Sequence, residues 1–133
     1  MNTLRATITA VTASEHLSCI RVSVEDDTLY LLLAEASNAE DLLNTYVTLV
    51  FKETEVILTK ELSKSTANLL QGTVREIQRG IVLSQVVLSY QETTITALVP
   101  TLIFETLNIK ESDEISWMVQ PSEISLLRGS HGI

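Results

Sequence analysis

Bond-making chemistry needs a nucleophile beside a base, and this sequence places its reactive side chains singly. The two histidines are His16, in a turn, and His131, in the tail. The pattern sets no nucleophile or paired carboxylate beside either, so a Ser-His-Asp relay is not expected. Glu25, Asp26 and Asp27 are adjacent acids, but the alternating Asp-x-Asp-x-Asp-Gly spacing of a calcium loop does not follow them. They read as a solvated hairpin turn. Cys19 lies within an alternating strand and reads as buried filler rather than a reactive thiol, and no Cys/His cluster has zinc spacing. Gly72 and Gly80 stand alone, so no glycine-rich loop cradles a phosphate. The expectation is a protein that holds a ligand or a partner, not an enzyme, with no organic cofactor and no resident metal.

The totals narrow the partners. Acids outnumber bases 17 to 9, for a net charge of −8, whereas nucleic-acid binding depends on Lys and Arg neutralising phosphates. Six aromatics are also few for base stacking. A small anion remains compatible with this charge, because surface charges beyond ~8 Å are screened at physiological salt. No apolar run approaches the ~20 residues that span a bilayer, and the Arg5-containing, threonine-rich start does not read as a signal peptide. A single cysteine excludes an intrachain disulfide and fits a reducing compartment. The expected location is the cytoplasm.

Alternation defines the elements that carry these residues. Thr3–Val11 and Leu17–Val24 alternate as strands, with Ile20, Val22 and Val24 on one face and Arg21 and Ser23 on the other. Thr28–Leu33 is a third strand. Ser37, three before Glu40, makes a capping box that opens a short helix through Leu43. Strands over Thr45–Phe51 and Glu55–Thr59 follow. The order then repeats: strands over Leu70–Gln78, Ile81–Tyr90 and Thr93–Val99, a short helix from Pro100-Thr101 through Leu107, a strand containing Ile115, Trp117 and Val119, and a strand over Glu123–Leu127.

At an offset of 66 residues Asn68 aligns with Asn2, Leu70 with Leu4, Gly72 with Ala6, Ser84 with Ser18 and Leu88 with Val22. After the helix the offset becomes 68, matching Trp117 with Leu49 and Leu126 with Leu58. The chain of 133 residues therefore reads as two small all-β domains in tandem, 1–62 and 63–133. Five short strands and one short helix per copy describe an OB-like barrel. Domains this small bury little apolar surface alone and are expected to lean on each other or on further subunits.

These features resemble the Mop (molbindin) domains of the TOBE superfamily. That family opens with Ser-Ala-Arg-Asn, an apolar residue and Gly before Thr-Val; here the segment runs Ser65-Thr66-Ala67-Asn68-Leu69-Leu70-Gln71-Gly72-Thr73-Val74. A Leu-Gly-Leu-Lys-x-Gly-Asp-Glu-like stretch appears as Leu107-Asn108-Ile109-Lys110-Glu111-Ser112-Asp113-Glu114. The closing Lys-Ala-Ser-x-Val appears as Lys52-Glu53-Thr54-Glu55-Val56 and again as Gln120-Pro121-Ser122-Glu123-Ile124.

The resemblance implies a molybdate or tungstate binder acting in storage or homeostasis, with shallow sites between domains. It also implies a homo-oligomer, a trimer of two-domain chains. Carried over, the implied oxyanion ligands are Ser65, Thr66, Lys52, Thr54, Ser37 and Ser122. The family arginine is replaced by Ala67, the second closing lysine by Gln120, and the two matching hydroxyls of the second helix start by Pro100 and Ile103 of the Pro100-Thr101-Leu102-Ile103 run. A composite site of Ser65 with Ser37, Lys52 and Thr54 is therefore expected. The alternative is a module that keeps the fold, has lost the anion, and serves regulation or protein interaction.

Overall fold

Alternating apolar and polar residues build ten strands in the computed structural model, which describes residues 1–35, 39–60 and 68–128. In order these are β1 (Asn2–Ala13), β2 (Ser18–Val24), β3 (Asp27–Leu33), α1 (Ala39–Leu42), β4 (Tyr46–Phe51) and β5 (Ile57–Thr59). Then come β6 (Leu69–Gln78), β7 (Leu83–Tyr90), β8 (Thr93–Pro100), α2 (Thr101–Leu107), β9 (Glu114–Met118) and β10 (Ser125–Arg128). A 3-10 turn precedes each fifth strand, at Glu53–Glu55 and at Pro121–Glu123.

Period-two burial sorts the faces. In β2 the side chains of Ser18, Ile20, Val22 and Val24 are buried while Arg21 is exposed. Cys19 shares the outward parity and is exposed, which corrects the expectation of a buried thiol. Its even-numbered neighbours already fill the inward face.

The chain forms two five-stranded sheets, ordered β10-β4-β1-β2-β3 and β5-β9-β6-β7-β8. The first compact unit holds Met1, Thr3–Phe51 and the segment from Gln120; the second holds Asn2 and Lys52–Val119. These units are assembled differently from the sequence repeats. Each takes four strands from one repeat and the fifth from the other. β5 pairs with β9, setting Leu58 opposite Trp117, and β10 pairs with β4, setting Leu126 opposite Leu49. Each β4-type edge is thus covered by a strand, which removes an open row of backbone donors and acceptors.

The same irregularities recur at the repeat offset. The β1–β2 register slips between Ile8 and Ala10, and the β6–β7 register between Val74 and Glu76. The β2–β3 and β7–β8 turns each place a residue in left-handed backbone, Glu25 and Gln91, both with φ 53°. Such φ values are uncommon for residues with a β carbon.

Inside the first unit Ile8, Ile20, Val22, Leu31 and Leu49 are fully buried. Inside the second, Val74, Val86, Leu88, Ile95 and Trp117 are fully buried, so the tryptophan is core. Tyr90 meets its indole edge-on, with ring centroids 5.1 Å apart, a geometry aromatic pairs favour.

Candidate functional site

The two closing motifs adopt one conformation. Lys52 (φ −76°, ψ 150°) and Gln120 (φ −65°, ψ 142°) are extended residues at the head of their 3-10 turns. The Glu55 N–H donates to the Lys52 carbonyl at 3.0 Å, and the Glu123 N–H to the Gln120 carbonyl at 2.9 Å. Val56 and Ile124 are buried just after the turns and peg them to their units. The first turn lies against β8 in the second unit, and the second lies against β3 in the first unit.

Lys52, Thr54 and Ser122 are exposed on these turns. Ser65, Thr66, Ser37 and Ala67 lie outside the described residues, as does His131. The two turns differ in chemistry. Lys52 supplies an ammonium with three donors and Thr54 a hydroxyl, whereas the Gln120–Ser122 turn supplies only neutral donors. Glu53 and Glu55 beside Lys52 oppose an incoming anion, so its ammonium must act by direct contact rather than through a broad positive field.

Several polar residues of the repeat are structural. Asn2 is buried in the second unit. Its Nδ2 donates to the Thr96 carbonyl at 2.8 Å, and its Oδ1 accepts from the Thr96 N–H at 2.9 Å. The amide thus stands in for a paired peptide on β8. Asn68, at the aligned position, is buried with φ 60° and donates from Nδ2 to the Val119 carbonyl at 2.9 Å. Strand position signalled neither role, because both act through side chains at the entry to β1 and β6.

Buried Ser18 donates to the Glu35 carbonyl at 2.6 Å. Its counterpart Ser84 lies 2.8 Å from the Thr101 hydroxyl, which donates to the Gly80 carbonyl at 2.9 Å. Thr101 has one proton and spends it on Gly80, so Ser84 is the donor to Thr101. These hydroxyls tie the β6–β7 turn to the start of α2. Gly80 is required there, since a β carbon would stand 2.1 Å from the Leu83 carbonyl oxygen.

Sequence reasoning did not anticipate an open hollow of about 550 Å³ in the first unit, where Arg5, Thr7, Ser23, Glu25 and Tyr46 converge. It gathers one cation, one acid and three hydroxyls from β1, β2, β4 and the β2–β3 turn, at positions that alternation scores only as solvent-facing. Among the described residues no group of three or more His, Cys, Asp or Glu could hold a metal ion. Among them no helix is long and apolar enough to cross a membrane.

No model of a known protein family matches the chain, and no curated protein matches it. Among solved structures, it is similar to the cytoplasmic molybdate-binding protein ModG in a crystal form with molybdate bound. The TM-score is 0.84 at 23% sequence identity, over 95% of this chain and 94% of that one. The two chains share a fold.

Proposed function

We propose that this protein binds molybdate, or the chemically similar tungstate, in the cytoplasm, and serves storage or homeostasis of the anion. The observation that carries the reading is the near end-to-end fold likeness to ModG, a molybdate-binding protein. In this reading the two sheets belong to OB-like barrels, the anion is held at sites between domains, and the chains assemble as trimers. Neither an organic cofactor nor nucleic acid nor a membrane takes part.

The proposed ligands are Lys52 and Thr54 with Ser65, Thr66 and Ser37, and Ser122 on the neutral turn. A tetrahedral dianion offers only acceptors, so it selects convergent donors. Charge-assisted bonds from an ammonium are roughly twice as strong as neutral ones, which makes Lys52 the main anchor. Hydroxyls and backbone N–H groups complete the shell without adding charge. The protein holds the anion and moves no bond.

Titration calorimetry of phosphate-free protein with molybdate, with sulfate as control, tests the reading. Saturable heat with molybdate alone supports it, and its stoichiometry counts the sites. Absence of heat with both anions rejects it.

A second reading, a protein-interaction module without an anion, is favoured by one observation. Leu102 and Ile103 are exposed at the start of α2, where the resemblance implies anion-binding hydroxyls. That module would ignore both anions.

A further inference from the structure

The hollow of the first unit has a counterpart in the second, and the two differ in chemistry. Thr7 faces Ser23 across β1 and β2. Arg5 lies two residues before Thr7 and Glu25 two after Ser23, so in an antiparallel ladder both fall toward the same end. Tyr46, the first residue of β4, completes the lining and is 77% exposed. In the second unit Lys60, Gln71, Asp113, Glu114 and Ser116 line a hollow of about 410 Å³. Gln71 aligns with Arg5 at the 66-residue offset, and Glu114 with Tyr46 at 68, so both hollows occupy one place in the repeat.

In the second repeat, amides that bond within their own unit stand where the first has charges. Gln71 Nε2 donates to the Ser116 hydroxyl at 2.6 Å. Gln91, aligned with Glu25 and in the same left-handed conformation, donates from Nε2 to the Tyr90 hydroxyl at 3.3 Å. The first repeat sets a guanidinium and a carboxylate at these positions. Among the described residues neither Arg5 nor Glu25 joins an ion pair. The same strand and turn fold with amides, so the two charges are not a requirement of the fold.

Charge selects the occupant. A simple anion on Arg5 is opposed by Glu25 and by the chain's net −8, and a simple cation on Glu25 is opposed by Arg5. An apolar molecule strips water from both charges and returns no hydrogen bond. A zwitterion satisfies both at once through charge-assisted hydrogen bonds. The Thr7 and Ser23 hydroxyls, each a donor and an acceptor, add neutral bonds. The exposed Tyr46 ring offers a face to an apolar side chain. A volume of about 550 Å³ lies within the range of small-molecule sites.

We infer that this hollow binds a small zwitterion of the α-amino acid class. The carboxylate of the ligand lies on the Arg5 guanidinium, its ammonium on the Glu25 carboxylate, and its side chain along the Tyr46 ring. The site is separate from the closing turns and stands whether or not molybdate binds there.

Titration of the full, ¹⁵N-labelled chain followed by amide chemical shifts tests it. The probes are L-phenylalanine, 3-phenylpropionate (no ammonium), phenethylamine (no carboxylate) and D-glucose (neutral and polar). L-phenylalanine is expected to shift the Arg5, Thr7, Ser23, Glu25 and Tyr46 amides saturably. Each half-ligand is expected to bind about tenfold weaker or more, through loss of bonds to one charged group. Arg5→Gln with Glu25→Gln, which installs the second repeat's own residues, is expected to weaken L-phenylalanine at least as much, with circular dichroism to verify folding. Absence of saturable shifts with L-phenylalanine overturns the inference, as does equal binding of either half-ligand or of D-glucose. Unchanged affinity in the folded double variant also overturns it. Molybdate titration of the same samples reads the anion proposal separately.

Discussion

Gly72 and Trp117 share one space: a β carbon on Gly72 would stand 3.4 Å from Trp117 Cδ1 and 3.2 Å from the Ser89 carbonyl oxygen. The aligned pair in the other repeat is Ala6 with Leu49, a larger residue matched to a smaller one. Gly72→Ala is therefore expected to destabilise the protein by about 1–2 kcal/mol through overpacking. In a Trp117→Leu background the same change should cost less, with a coupling of at least ~0.5 kcal/mol. Urea melts of the four proteins measure this. Equal costs in both backgrounds would show that the indole does not set the limit.

The closing turns make a prediction about affinity. Lys52→Ala should weaken molybdate binding by about tenfold or more, since bonds to charged groups contribute roughly 1.5–3 kcal/mol. Gln120→Lys should add cationic character to the second turn and tighten binding or raise the stoichiometry. Calorimetry on both variants reads the two effects. If Lys52→Ala leaves the affinity unchanged, the proposed anchor is wrong.

Asn2 should matter for stability rather than for the anion. Asn2→Ala removes both bonds to Thr96 and leaves part-buried main-chain groups short of partners, at a cost of about 1–2 kcal/mol. Amide exchange of Thr96 should speed up in step. An unchanged exchange rate at Thr96 would mean that water replaces the amide.

The compact units predict which fragment stands alone. Lys52–Val119 contains β5 through β9 without a break, so it should melt cooperatively with Trp117 still buried. The repeat-based fragment 63–133 lacks the β5 strand that covers β9, and is expected to melt lower or to self-associate through that edge. Tryptophan emission and light scattering distinguish the two. If 63–133 is the more stable fragment, the repeat is the folding unit.

Much of the fold was legible because alternation is local. Leu70–Gln78, Thr93–Val99 and the helix through Leu107 match β6, β8 and α2 within two residues. The exchange of fifth strands was not legible. Glu55-Val56-Ile57-Leu58 and Glu123-Ile124-Ser125-Leu126 present the same parity, so either sheet accepts either strand and no local signal names the partner. Cys19 was misread although its parity with Arg21 and Ser23 already pointed outward. Of the candidate site, the family resemblance indicated paired motifs at Lys52 and Gln120, which the structure shows as matching turns. Their ligand role rests on resemblance, because an exposed lysine and threonine look alike whether or not an anion visits. The apolar turn at Ile81 was read simply as the start of a strand, since solvent exposure belongs to tertiary structure.

The crossings at Phe51–Lys52 and Val119–Gln120 also set an order in time. During synthesis the second unit is a continuous stretch and has all five of its strands once Val119 is made. The first unit has four strands early but must wait for Ser125–Arg128, beyond the whole of the second unit, to cover β4. Its opening strands are translated before those of the second unit and completed after them.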